Sequence, residues 1–301
     1  MKHLLYSALF LLAACLGAAA CSNDDTVAAP EQPSVPEKVS VKLDVNTVTG
    51  ADMRVFADGT KVTTLRYAVY DANGKLMSDI SNVDGSDFSG HSKTIDFEFI
   101  QGNIYTVVLW ADAGANSCYS VDFTNKTMTV GSRALVTNDD NADAFYCRLP
   151  IKVESEVTLS APLKRPFAQL NIGTNDLATA AINGFNAAKI KVKVTGVPNT
   201  LNLLDGSVSG NVDPEYATSP FIGQNEAFPK EGYDYLSMNY LLVGSQSQTT
   251  NVTITLTDES SSKSREYSYL NIPISRNIRT NLFGSLLTTA NGPDISTTEG
   301  F

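Results

Sequence analysis

Apolar and polar residues alternate with a period of two over much of the chain. Val39, Val41, Leu43 and Val45 are separated by Ser40, Lys42, Asp44 and Asn46. That spacing predicts a strand with one buried face. Leu65 to Tyr70 predicts a second strand, followed by Asp71-Ala72-Asn73-Gly74, an Asn-Gly turn signal. Thr94 to Phe99 alternates again. Tyr105 to Trp110 is almost continuously apolar and predicts a central strand covered on both faces. Tyr119–Phe123 and Met128–Val130 predict a hairpin about Asn125-Lys126, and Asp143–Pro150 and Ile151–Leu159 follow. Further strands are predicted at Phe167–Ile172, Lys189–Val194, Leu236–Val243, Val252–Leu256 and Tyr267–Ile274, with a last one at Asn281–Leu287. Only Asp176–Asn186 carries a helical spacing, short and weakly amphipathic. Many short strands with turn signals between them predict an all-β chain of two tandem Greek-key β-sandwiches. The expected domains are residues 39–157 and 158–301, with the polar stretch Ser155–Arg165 as the loop between them.

The first residues do not belong to this pattern. Lys2 and His3 precede an apolar run from Leu4 to Gly17, too short for a permanent membrane span and without stop-transfer charges. Residues 1–20 therefore read as an export signal. Two small-residue runs end in cysteine, Leu12-Ala13-Ala14-Cys15 and Ala18-Ala19-Ala20-Cys21, and both resemble the bacterial lipobox, whose cysteine is lipidated. Cys21 is the expected lipid site and Cys15 the second candidate. A cut before Cys15 would shorten the apolar core and leave Leu16 to Ala20 on a mature terminus. Ser22-Asn23-Asp24-Asp25 behind Cys21 resembles the acidic stretch that directs Bacteroidetes lipoproteins to the cell surface. A secretory leader with incidental cysteines is the plainer alternative. Residues 21–38 are rich in Pro, Ala and acidic residues and read as a flexible tether.

Composition narrows the function. The chain has 301 residues, a net charge of −10 and 43% hydrophobic residues, enough for a real core. No basic cluster exceeds the alternating Lys189, Lys191 and Lys193, which disfavours nucleic acid as a partner. Two histidines are present, and His3 lies in the leader. His91 alone builds neither a His-based triad nor a His metal cluster. Asp139, Asn141 and Asp143 match the first positions of an EF-hand loop. Ala144 stands where Gly is needed and Pro150 where Glu is needed. The stretch therefore reads as a solvated acidic turn. No metal site, cofactor or enzyme activity is expected. Cys118 and Cys147, the cysteines outside the leader, read either as one disulfide between neighbouring strands or as two small buried apolar residues.

Several segments, in this order, resemble the fimbrillin-like family of Bacteroidales, subunits of type V pili. They are Arg54-Val55-Phe56-Ala57-Asp58-Gly59 with Leu65-Arg66-Tyr67-Ala68-Val69-Tyr70-Asp71, Val107 to Asp112, Asn141 to Tyr146, Lys164 to Leu170, Ile272-Pro273-Ile274, and Asn277 to Leu287. The resemblance implies transthyretin-like sandwiches, an outer-membrane lipoprotein precursor at the cell surface and a role in a fimbrium that serves adhesion. It implies a trypsin-like protease that cuts between Arg54 and Val55. The cut would free a first strand whose inward face is Val39, Val41, Leu43 and Val45. A strand from another fimbrial subunit would then fill the vacated groove. Partners would be those subunits, the protease and, through lipid, the outer membrane. The tail, Asn291 to Phe301, is short and polar, a poor donor strand, so an anchor or accessory role stays open beside a stalk role. A surface glycan-binding lipoprotein is the alternative function, with the 12 Tyr and 13 Phe as a source of sugar-stacking rings.

Overall fold

The alternating segments become nineteen strands among the described residues. The structure is a computed structural model, and it describes residues 36–47, 56–218, 228–288 and 293–299. In the first half the strands are β1 Lys38–Thr47, β2 Thr64–Tyr70, β3 Asn82–Asp87, β4 Ser92–Ile100, β5 Ile104–Asp112, β6 Tyr119–Asp122, β7 Thr127–Val130, β8 Phe145–Lys152 and β9 Val157–Leu163. In the second half they are β10 Phe167–Thr174, β11 Ala187–Val194, β12 Thr200–Asn202, β13 Val208–Ser209, β14 Glu215–Thr218, β15 Asp234–Leu242, β16 Gln248–Asp258, β17 Ser264–Ile274, β18 Ile278–Gly284 and β19 Asp294–Glu299. One α-helix, α1 Leu177–Ile182, lies inside the segment with helical spacing.

Two pairs of sheets form sandwich-like layers, as the all-β pattern predicts. In the first pair, a three-stranded sheet of order β4-β1-β9 packs on a four-stranded sheet of order β3-β2-β5-β8. In the second, β15-β10-β18-β19 packs on β14-β11-β16-β17. β5 is covered on both faces, as its apolar run predicts: Val107 and Leu109 point into the first sandwich, while Val108 and Trp110 point away from it into a separate cluster.

That separate cluster joins the two halves. Its members come from β2, β5 and β8 on one side and from β10, β15 and β18 on the other, with Trp110, Phe167 and Tyr240 among them. Above it lies a fourth four-stranded sheet, β13-β12-β7-β6. The hairpin β6–β7 from the first half joins β12–β13 from the second through the pairing of β7 with β12, Leu201 lying opposite Met128. Arg148 and Arg276 each donate to a carbonyl of the β12–β13 turn, to Leu204 and Gly206 respectively. A shared sheet and a shared apolar cluster give the two halves far more than the small polar contact usual between independent domains.

The stretch expected as a polar loop, Ser155–Arg165, is instead largely strand. β9 runs parallel to β1, Val41 opposite Val157 and Leu43 opposite Leu159. The pairing satisfies the backbone of this segment, and Ala161 and Leu163 fill the first sandwich. β9 thus runs from residue 157 across the expected boundary, yet belongs to the first pair of sheets. The polar tail forms β19, an edge strand antiparallel to β18 with exposed side chains.

Candidate functional site

β1 is the middle strand of its sheet. It runs antiparallel to β4 over Lys38–Asn46 and parallel to β9 over Val41–Thr47, so both of its backbone edges are paired. Val41 and Leu43 are 0% exposed and Val45 is 1% exposed, while Val39 is half-buried and packs on the rim of the same core. Phe97 and Ile95 stand opposite Val41 and Leu43 on β4, and Val157, Leu159 and Ala161 stand opposite Val41, Leu43 and Val45 on β9. On the other face, Lys42 and Asp96 form an exposed ion pair at 3.8 Å, and Thr94 donates to Asp44 at 2.8 Å. At about 1.5–3 kcal/mol per fully buried aliphatic side chain, the three inward residues contribute roughly 5–9 kcal/mol. A strand removed from this position leaves an apolar slot flanked by two unpaired backbone edges.

β1 ends at Thr47, and the chain is next described at Phe56. There it is held by a charged cluster. Phe56 is 7% exposed and meets Tyr235 edge-on at 5.2 Å between ring centres. Ala57 is buried and has a φ of 60°, a left-handed conformation that costs a non-glycine residue about 1–2 kcal/mol. Both of its backbone polar groups are taken by side chains. The Ala57 N–H donates to Asp140 Oδ1 at 3.1 Å, and Arg165 Nη2 donates to the Ala57 carbonyl at 2.8 Å.

The cluster is internally paired. Arg165, 0% exposed, makes a bidentate bond to Asp143, from Nε at 2.6 Å and from Nη2 at 2.7 Å. Its guanidinium lies 4.3 Å from the centre of the Phe145 ring. The Tyr240 hydroxyl donates to the same Asp140 oxygen at 2.8 Å. Desolvation, with the Asp143 carboxylate adding to it, pushes the Asp140 carboxyl up to about 6. Burial likewise raises the Tyr240 hydroxyl well above its ordinary value, so it stays a donor.

This arrangement corrects the reading of Asp139–Asp143 as a solvated turn. Asp139 does cap its own turn, accepting from the Asn141 backbone N–H. Asp140 and Asp143, however, turn toward the core because a cation 22 residues beyond Asp143 is there to meet them. The sequence offered one faint signal: Arg165 is a charge set two residues before the apolar start of β10, with only Pro166 between. A pairing over that separation has no local pattern, so the cluster was missed. Among the described residues no group of His, Cys, Asp and Glu is arranged to hold a metal ion.

Of the other residues singled out in the sequence, Cys15, Cys21, Arg54 and Val55 lie outside the described residues. Cys118 and Cys147 are free cysteines. They sit on opposite faces of the β3-β2-β5-β8 sheet, Cys118 in the cluster between the halves and Cys147 against the core of the first sandwich. The sheet between them rules out the pairing considered from the sequence. Burial pushes both thiols up to about 11.

Comparison with known proteins adds the following. Among solved structures, a chain from Bacteroides uniformis described as "a putative cell adhesion protein" aligns with a TM-score of 0.51 at 11% identity, over 87% of this chain and 97% of that one. A "putative adhesin" from Bacteroides thetaiotaomicron aligns with a TM-score of 0.51 at 14% identity, over 90% and 100%. A fimbrial anchor protein from Porphyromonas gingivalis aligns with a TM-score of 0.48 at 12% identity, over 87% and 98%. At these identities the likeness is one of fold. No curated protein matches the sequence. The model of the "Family of unknown function (DUF6562)" matches residues 31–301, nearly the whole chain, and the chain belongs to that family.

Proposed function

We propose that the chain is a non-enzymatic subunit of a surface fimbria, exported as a lipoprotein and assembled by exchange of its first strand. The observation that carries this reading is the position of β1. It is central in its sheet and buries Val41, Leu43 and Val45, yet it is the first strand of the described residues, on the N-terminal side of the proposed cut that would free it. In the proposed sequence of events, lipid on Cys21 (with Cys15 as the alternative) holds the precursor at the outer membrane. A trypsin-like protease cuts between Arg54 and Val55. β1 leaves with the lipid, and a strand of another subunit with apolar residues at alternate positions fills the slot between β4 and β9. The likeness of fold to two chains described as adhesion proteins is in keeping with a role in adhesion. An anchor subunit that keeps its lipid fits the polar, exposed β19, which is a weak donor.

The test is the N-terminus of the protein taken from cells. Processing gives a free Val55, and Arg54→Ala leaves a lipid-blocked Cys21. A mutant that still matures and assembles as the wild type does refutes the processing step. One observation favours the glycan-binding alternative, a cleft of about 450 Å³ lined by Tyr146, Arg148, Lys164, Asp205 and Arg276. A polysaccharide screen without hits removes that reading.

A further inference from the structure

We infer that the cleft carrying Arg148, Lys164 and Arg276 is a binding site for a sugar with a carboxylate group. The inference rests on the glycan-binding reading of this cleft, names its ligand class, and is independent of the strand exchange.

The cleft, of about 450 Å³, is the size of a small-molecule site. Both halves of the chain build it. Arg148 comes from β8 and Lys164 from the end of β9, while Asp205 and Ser207 come from the β12–β13 turn and Arg276 from the β17–β18 turn. Three cations thus share the cleft with one carboxylate, in a chain whose net charge is −10. Among the described residues none of the three makes an ion pair. Like charges set together repel, and an anion brought among them relieves that cost. Burial lowers the Arg276 guanidinium from its ordinary value, which a bound anion would reverse.

The frame is fixed in advance. The β12–β13 turn offers three carbonyls to the cleft side chains. Leu203 accepts from the Tyr146 hydroxyl at 2.7 Å, Leu204 from Arg148 Nε, and Gly206 from Arg276 Nη2 at 3.3 Å. Arg276 Nη2 also donates to the Val243 carbonyl at 3.0 Å. Each guanidinium is therefore held by one nitrogen. Gly206 has a φ of 76°, and a Cβ there would stand 4.0 Å from Arg276 Nη1, so the bare backbone keeps that side open.

The remaining groups select a sugar acid. Asp205 accepts from the Ser207 N–H at 2.8 Å and from its hydroxyl at 2.6 Å. These bonds lower its carboxyl, so it stays an ionised acceptor. With the hydroxyls of Ser207 and Ser245 it suits sugar hydroxyls, while the cations suit a carboxylate. A compact polyanion would meet Asp205 as a like charge. An extended acidic peptide needs a free strand edge, and here Tyr146 and Lys164 exchange both backbone bonds, at 2.9 and 3.1 Å.

The experiment titrates the full chain by calorimetry with oligogalacturonate, hyaluronan fragments and sialyllactose, each beside its neutral methyl ester. At least one acid is expected to bind, its ester about tenfold more weakly or worse, and rising salt is expected to weaken the acid alone. Arg148→Ala and Arg276→Ala are each expected to weaken it about tenfold, and Lys164→Glu severalfold. Lys189→Glu, an equal change of charge on exposed β11, is expected to leave binding unchanged. Trp110 fluorescence checks folding. Should Arg276→Ala unfold, Arg148→Ala and Lys164→Glu decide, both side chains being exposed. An ester that binds as well as its acid, with both weakened by Arg148→Ala, overturns the carboxylate and leaves a glycan site. Inorganic sulfate or polyaspartate binding as tightly as the acids overturns the sugar. A loss in Lys189→Glu equal to that in Lys164→Glu overturns the location. If no acid and no ester binds, the inference and the glycan reading fall together.

Discussion

Leu43→Ala tests the slot that β1 fills. Leu43 is 0% exposed, at the centre of β1, with Ile95 opposite on β4 and Leu159 opposite on β9. Neither neighbour can move inward without giving up its strand pairing, so a cavity stays open. The lost transfer energy plus the cavity then give a cost of about 3–4 kcal/mol. With a urea dependence of about 2 kcal/mol per molar, the midpoint falls by about 1.5–2 M. The chain has one tryptophan, Trp110, which is 0% exposed on β5, in the facing sheet of the same sandwich. Its fluorescence reports the transition directly. Lys42→Ala is the control on the same strand. Its ion pair with Asp96 has side chains 50% and 65% exposed, so its loss changes stability by less than about 0.5 kcal/mol. A midpoint shift for Leu43→Ala no larger than that for Lys42→Ala refutes the reasoning, since β1 would then not hold its sheet together through its inward face.

Three further outcomes follow from the core. Arg165→Met strands Asp143 in the interior and is expected to cost about 3–5 kcal/mol, while the double change Arg165→Met with Asp143→Leu recovers much of that loss in thermal unfolding; a double variant no better than the single one contradicts the buried pair. Asp140 binds its proton more tightly folded than unfolded, so its stabilising contribution is complete below about pH 4 and is lost as pH rises through about 6. Because Asp140 keeps part of its surface in water, Asp140→Asn is expected to stabilise the chain at pH 8 by about 1–3 kcal/mol in urea titrations and to change little at pH 4. Cys118 and Cys147, raised to about 11, expose on the order of one thiolate in a thousand at pH 8. Native protein is therefore expected to resist iodoacetamide and to keep two free thiols under mild oxidation, as mass spectrometry would show, whereas unfolded protein reacts at both.

The strands that were legible in the sequence are those whose two faces differ. Val39 to Val45 alternates because one face meets a core and the other meets water, a condition that each residue satisfies locally. β5 was legible for the opposite reason, its run from Tyr105 to Trp110 being apolar on both faces. β3, β12, β13 and β19 carry no such signal. They are short or mostly polar, and only their neighbours in a sheet make them strands. The expected loop at Ser155–Arg165 failed on the same ground, since β9 is defined by its pairing with β1, more than a hundred residues earlier.

The sequence by itself determined the all-β class and the inward face of the first strand, because periodicity is a local property. Only the tertiary structure decided that a sheet lies between Cys118 and Cys147, that β6–β7 and β12–β13 share one sheet, and that Asp140, Asp143 and Arg165 close on Ala57. A buried charge is tolerated only where its partner is brought to it, and here the partner arrives from a distant part of the chain.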